Sequence, residues 1–126
     1  MLQRANTGYE DGNWSVPAGH FEGGESATAA MVREALEEVG LMISAEDLRL
    51  VHVMHRAGAE GPDNERVDFY FSLEKWDGEP VNGEPEKCSE LTWFPLEALP
   101  ENTVGCVRQA LEGYRTGSIF SEFGWK

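Results

Sequence analysis

The sequence predicts an α+β domain, with a three-layer α/β/α arrangement as the other packing its elements allow. Short strand-like runs alternate with only two helical stretches, one central and one terminal. No apolar run approaches the ~20 residues needed to span a membrane. Apolar residues make up 40% of the 126 and charged residues 26%, a balance that supports a packed core over disorder. With no repeat, low-complexity tract or linker, residues 1–126 are expected to form one domain.

The elements follow in order. "MLQR" reads as the tail of a strand, so a shortened or missing N-terminal strand is expected. A homodimer is then one way to cover the exposed sheet edge. "YEDGNW" reads as a turn broken at Asp11-Gly12. "WSVPAG" reads as a short strand entering the Gly-bounded loop "GHFEGGE". A helix is expected from an N-cap at Ser26 to Val39, with Gly40 just past its end. On it Met31, Val32, Ala35, Leu36 and Val39 make an apolar face, while Ala27 and Ala30 continue an acidic face. "LRLVHVMHRA" reads as a buried strand and "GAEGPDNE" as a polar loop. "RVDFYFSLEKW" gives the clearest strand, followed by the polar loop "GEPVNGEPEKCSE". "LTWFPL" is a short strand, "LEALP" one helical turn, and "TVGCVRQALEGYR" an amphipathic helix.

The formal net charge is −13 and the isoelectric point about 4.5. Duplex binding needs a basic footprint, so no nucleic-acid partner is expected, and no membrane partner either. Small phosphorylated substrates stay open, because divalent cations can mediate between acids and phosphates. Cys88 and Cys106 stand far apart, in no metal-ligand spacing, and are expected as reduced thiols. The segment "MLQRANTGYED" lacks the apolar core of a signal peptide. A cytoplasmic location is expected on these grounds.

One stretch works against its own stability. "REALEEVGL" places Glu34, Glu37 and Glu38 at i, i+3 and i+4 of the helix, so all three share one face. Like charges at these spacings destabilise a helix by roughly 0.2–0.5 kcal/mol per pair. The last turn also carries the negative end of the helix dipole. A solvated acidic face is the ordinary explanation of "EALEE" alone. The register of Gly19, Glu25, Arg33 and Gly40 around it points instead to a bound cation.

The full pattern is Gly19, five residues, Glu25, seven residues, then Arg33-Glu34-Ala35-Leu36-Glu37-Glu38-Val39-Gly40-Leu41. It resembles the signature of the Nudix hydrolases, Gx5Ex7REUxEExGU with U apolar, and every fixed position matches. "NTGYEDGNWSVPAGH" and "WFPLEALP" resemble the segments that flank the box in that family, so most of the chain is covered. The resemblance implies the Nudix fold, an α/β/α sandwich with a mixed sheet. It also implies metal-dependent hydrolysis of a diphosphate bond in a nucleoside diphosphate derivative. Mg²⁺ is the implied cofactor, with Mn²⁺ as the alternative. A hard cation takes oxygen ligands and bridges phosphates, as carboxylates on successive helical turns would allow.

The resemblance also carries roles. Glu37 and Glu38 are implied as direct metal ligands, with the Gly19 carbonyl beside them. Glu34 is either a third ligand or the base that deprotonates the attacking water. Arg33 is implied to orient Glu37 by a charge-assisted bond. Glu25 buttresses the loop or binds a further metal. Glu90 is the candidate loop carboxylate, as ligand, base or ordinary surface residue, with Glu84 and Glu86 as fallbacks. Asn102 is a candidate base-reading amide or a helix N-cap, and Arg66 a candidate phosphate contact or a charge balance. His52 and His55 are expected to be strand residues, although His55 could reach a phosphate. Trp14, Trp76 and Trp93 are expected as core or pocket walls.

The first expectation for substrate is a nucleoside triphosphate, split to monophosphate and pyrophosphate. Arg56 stands near where ADP-ribose hydrolases carry a proline. The tyrosine of dinucleoside-polyphosphate hydrolases and the coenzyme-A signature are both missing. ADP-ribose or a nucleotide sugar is the alternative substrate. A non-catalytic, nucleotide-sensing domain is the alternative class, though such domains usually erode the glutamates kept here. A Ca²⁺ module is disfavoured by the lack of a DxDxDG loop.

Overall fold

A helix must satisfy the N–H and C=O groups left over at its ends, and in this protein those end groups organise the fold around the acidic cluster. The computed structural model describes residues 1–19, 21–58, 61 and 64–126. His20 of "GHFEGGE" and residues 59, 60, 62 and 63 of "GAEGPDNE" therefore lie outside the described residues. The elements are β1 (Leu2–Arg4), β2 (Trp14–Ser15), α1 (Ala27–Val39), β3 (Leu48–Arg56), β4 (Arg66–Leu73), β5 (Cys88–Leu91), α2 (Gly105–Thr116) and β6 (Phe120–Phe123). Short 3₁₀ turns at Ala45–Asp47 and Leu96–Ala98 join them. None of the described helices is long and apolar enough to cross a membrane.

Among the described residues the strands form two three-stranded sheets, β2-β1-β5 and β4-β3-β6. The fold is mixed α+β, as the sequence indicates. The strand expected from "MLQR" is three residues long and lies in the middle of its sheet, antiparallel to both β2 and β5. Both its edges are paired, so the open edge expected to recruit a second copy does not arise at β1. In the other sheet β3 and β4 make a long antiparallel ladder from Leu48↔Leu73 to Arg56↔Arg66, with a register shift between Leu50 and His52. β6 adds a parallel edge, Val53↔Phe120 to Arg56↔Phe123, and makes this sheet mixed.

β6 is the element the sequence does not announce. Its pairing partner is far away in the chain, and non-local pairing leaves little local signal. Gly117, left-handed at φ 83°, ends α2 and turns the chain back toward β3. Other boundaries shift as well. "WSVPAG" contributes only Trp14–Ser15 to a strand, and "RVDFYFSLEKW" leaves the sheet at Leu73. The strand expected at "LTWFPL" starts earlier, at Cys88, and ends at Leu91.

The core lies between α2 and β3, where Met54, Val104, Cys106, Val107 and Ala110 are buried against Tyr70, Leu111 and Phe123. His52 is buried there too. Its Nδ1 faces the Ser118 carbonyl at 2.7 Å and must donate to it, which leaves Nε2 to accept from the Ser121 hydroxyl at 2.7 Å. His55 instead packs its ring on Trp125, with centroids 4.7 Å apart. The backbone of Trp14 ties β2 to the segment that leads into α2. Its N–H donates to the Asn102 carbonyl at 2.9 Å, and its carbonyl accepts from Val104 N–H at 2.8 Å. The Trp14 ring is buried edge-on against Phe94, as expected of a core residue. Trp76 and Trp93 are not core residues: they stack on each other while 39% and 68% exposed. Both cysteines are free and buried.

Helix α1 begins as the sequence dictates, with the Ser26 hydroxyl accepting Ala29 N–H at 3.2 Å. It ends on Gly40 at φ 67°, whose N–H returns to the carbonyls of the last turn. Its buried face is rotated from the expected one: Ala30, Glu34, Ala35 and Val39 are buried, whereas Leu36 is 53% exposed. The loop before β5 then satisfies two carbonyls the helix leaves over. Val81 N–H donates to Val39 O at 2.9 Å, and Gly83 N–H to Glu38 O at 3.0 Å. The approach is so close that a Cβ on Gly83 would sit 2.3 Å from Glu37 O. Gly83→Ala is therefore expected to lift the loop off the helix and destabilise the protein by about 1–3 kcal/mol. Urea unfolding measures this; a midpoint unchanged from wild type would mean the contact is slack.

Candidate functional site

Arg33 is the centre of the site. Its Nε and Nη2 donate to the two oxygens of Glu25 at 2.8 and 3.0 Å, a bidentate pair between helix and loop. Its Nη1 donates to Glu34 Oε1 at 2.7 Å and to Glu37 Oε2 at 3.2 Å. Glu25 also accepts Glu22 N–H at 3.0 Å. The Arg33 bond first, and this backbone bond second, hold the Glu25 carboxyl below the usual carboxylate range. The bond to Glu25 first, then the bond and charge of Glu34, raise Arg33 above its already high ordinary value.

Glu38 is held differently. Its Oε2 accepts Ala18 N–H at 2.9 Å, which ties the last turn of α1 to the segment before Gly19. Burial above all, then the side-chain bond to Glu34 and the charge of Glu34, push the Glu38 carboxyl up to about 8. The Ala18 N–H pulls the other way without prevailing, and the charge of Glu84 adds to the rise. Near neutral pH the Glu38 carboxyl therefore favours its protonated form beside Glu34. Gly19 lies directly over them, since a Cβ there would fall 2.0 Å from Glu34 Oε1. Only glycine lets the backbone come so near that carboxylate.

These groups open onto a cleft of about 280 Å³. One wall is Ala18, Gly19, Glu34, Glu37 and Glu38; the other is Leu2, Arg4, Thr7, Glu84, Lys87 and Cys88. A family model for the NUDIX domain matches residues 1–112, which includes both walls. The chain belongs to the NUDIX domain family. It is 35% identical over 117 residues to an RNA pyrophosphohydrolase of Sodalis glossinidius (strain morsitans), covering 89% of this chain and 59% of that protein. It is 29% identical over 102 residues to an 8-oxo-dGTP diphosphatase of Escherichia coli (strain K12), 79% of this chain and 75% of that one. A MutT NUDIX hydrolase from Burkholderia pseudomallei shares the fold with TM-score 0.77 and 29% identity, over 88% of this chain and 83% of that chain. The chain thus spans little more than half the length of the first of these relatives.

Within this NUDIX domain the expected site residues divide. Gly19, Glu34, Glu37 and Glu38 share the cleft, and Glu25 and Arg33 stand directly behind them. Glu90 does not. It pairs with Gln3, whereas Arg4 pairs with Cys88, and it is the Arg4–Cys88 side that lines the cleft. Glu86 is likewise outside, and Glu84 is the loop carboxylate the cleft receives. Asn102 neither lines the cleft nor caps α2: its amide donates to Gly12 O at 2.8 Å, and the cap position is Val104. Arg66 belongs to β4, paired with Arg56, and donates to Glu65 O at 3.0 Å. The cleft's two cations, Arg4 and Lys87, were missed. Lys87 sits in "EPEKC", where several charges alternate and no spacing marks the one facing inward.

Among the described residues no three His, Cys, Asp or Glu side chains form a ready cage for an ion. Arg33 engages Glu34 and Glu37, and the Ala18 N–H engages Glu38. The donors nevertheless suit a hard divalent cation. They are all oxygens, they are in excess of negative charge, and such an ion brings water and phosphate ligands of its own. A carboxyl raised by burial and by a neighbouring acid marks a place where positive charge is wanting.

The raised Glu38 carboxyl gives a sign for stability. A carboxyl raised on folding supports the fold fully below its unfolded value, near 4.5, and that support is lost as pH rises through about 8. Glu38→Gln mimics the protonated acid. Without metal, its stability relative to wild type is expected to climb between those pH values, so that the variant is equal or more stable at pH 8.5. A saturating divalent cation should reverse the order, because only wild type gains fully from binding. Melting curves with chelator and with Mg²⁺ across pH test this; a variant less stable than wild type at every pH would give Glu38 a structural role instead.

Proposed function

We propose that this NUDIX domain hydrolyses a diphosphate bond in nucleoside diphosphate derivatives, foremost a nucleoside triphosphate cleaved to monophosphate and pyrophosphate. The observation that carries the reading is the gathering of Gly19, Glu34, Glu37 and Glu38 on one wall of a cleft whose other wall carries Lys87. An acidic wall suits cations, and a basic wall suits phosphate. The names of the relatives, an RNA pyrophosphohydrolase and an 8-oxo-dGTP diphosphatase, favour such substrates over ADP-ribose or nucleotide sugars. Retention of every box glutamate favours catalysis over mere nucleotide sensing.

In this reading Glu34, Glu37, Glu38 and the Gly19 carbonyl would hold Mg²⁺, with Mn²⁺ as substitute. The bound ion would supply charge stabilisation on the phosphoryl oxygens and a more acidic water. The chain's own groups do the rest. Arg33 and Glu25 fix the carboxylates, so little reorganisation is needed. Glu84 is neither on α1 nor bonded to Arg33, and takes the proton of the attacking water. The water oxygen bonds to one phosphorus as the bond from that phosphorus to the departing phosphate oxygen breaks.

The test is a panel of nucleoside triphosphates, 8-oxo-dGTP, ADP-ribose, a nucleotide sugar and a short 5′-triphosphorylated RNA, assayed with Mg²⁺, with Mn²⁺ and with chelator. Pyrophosphate should appear from the triphosphates and vanish with chelator. Glu38→Gln should lower turnover by at least about 100-fold at saturating Mg²⁺. Near-wild-type turnover in that variant, or product from ADP-ribose alone, would overturn the assignment.

A further inference from the structure

We propose that Lys87 is a substrate-binding residue, whose ammonium contacts the non-bridging oxygens of the phosphate chain from the wall facing α1. The proposal rests on the reading of the cleft as a polyphosphate-hydrolysing site. Lys87 sits in the turn before β5, and that turn is fixed through its backbone. Its N–H donates to Glu84 O at 2.9 Å, and its carbonyl accepts Ala5 N–H at 2.9 Å. The start of the side chain is therefore anchored while its end is free to meet a ligand.

Among the described residues that end has no ion-pair or hydrogen-bond partner. Glu34, Glu37, Glu38 and Glu84 line the same cleft, yet among the described residues no carboxylate lies within ion-pairing distance of Lys87. Asp and Glu outnumber Lys and Arg by 23 to 10 in this chain, and four of those acids line the cleft with Lys87. The neighbouring cation is already engaged. Arg4 donates through Nε to Tyr9 O at 2.7 Å and through Nη2 to Thr7 Oγ1 at 3.0 Å, and its guanidinium lies over the Tyr9 ring. Arg4 thus fastens the 5–13 loop, whereas Lys87 keeps three N–H donors for an anion. An ammonium on a flexible stem acts as a point charge, which suits phosphate oxygens whose exact placement varies between substrates.

A contact made to the phosphate chain before and during reaction is uniform binding, so its loss raises KM more than it lowers kcat. Lys87→Ala should raise KM for the best triphosphate about tenfold or more, with kcat within a few-fold of wild type. Affinity for inorganic pyrophosphate, titrated by calorimetry with Mg²⁺, should fall by a similar factor. Lys87→Arg, which keeps the charge, should recover most of both. Wild-type KM and pyrophosphate affinity in Lys87→Ala would overturn the proposal. So would a loss of kcat with pyrophosphate binding unchanged, which would indicate a disturbed loop. If wild type turns over none of the nucleotides, the proposed function fails and the pyrophosphate titration decides alone: binding lost in Lys87→Ala upholds the contact, and equal binding removes it.

Discussion

The guanidinium of Arg33 is the constraint from which the rest of the site follows. One planar group, reaching two oxygens of Glu25 and one each of Glu34 and Glu37, binds the glycine loop to the helix and gathers acids that would otherwise repel. A lysine could supply the charge but not the fork that serves three carboxylates in fixed directions. The same grip creates a competition. A cation at the acidic wall would compete with Arg33 for the oxygens of Glu34 and Glu37.

The counterpart of Arg33 is the segment from Val81 to Cys88. Its first part caps the carbonyls of Glu38 and Val39, and its second part supplies Glu84 and Lys87 to the cleft. Asn82 links the parts: its Oδ1 accepts Glu84 N–H at 3.1 Å, and its Nδ2 donates to Cys88 O at 2.6 Å. One short run of backbone thus ends the helix and shapes the wall across from it. Any shift that loosens the cap also moves the opposite side of the cleft.

The acidic wall was legible in the sequence because it is local. Ser26, Arg33, Glu34, Glu37, Glu38 and Gly40 sit on one helix, where spacing alone dictates which face each takes. Gly19 and Glu25 belong to the same continuous box and join it through Arg33. The other wall comes from β1 and from the loop before β5, which are remote in sequence. Nothing in "EPEKCSE" says that Glu84 and Lys87 turn inward while Glu86 and Glu90 do not; that follows from the β1–β5 register and its bulge at Gln3/Arg4. The exposure of Leu36 and the burial of Glu34 have the same origin. Helical periodicity gives a face, but the loop that covers it decides which residues are sealed. β6 escaped for a related reason, as a parallel edge strand is defined by β3, not by its own residues.

The raised carboxyl of Glu38 has a thermodynamic consequence for loading the site. A cation bound by Glu38 near neutral pH would have to expel its proton, so uptake would be an exchange of ions and not a simple addition. The apparent association constant should then grow with pH until Glu38 is fully ionised. The released proton is taken up by the buffer, so the heat recorded on binding includes the buffer's own protonation enthalpy and differs from one buffer to another. In a cell, a fall in local pH would act on this protein as a competing ligand for its acidic wall.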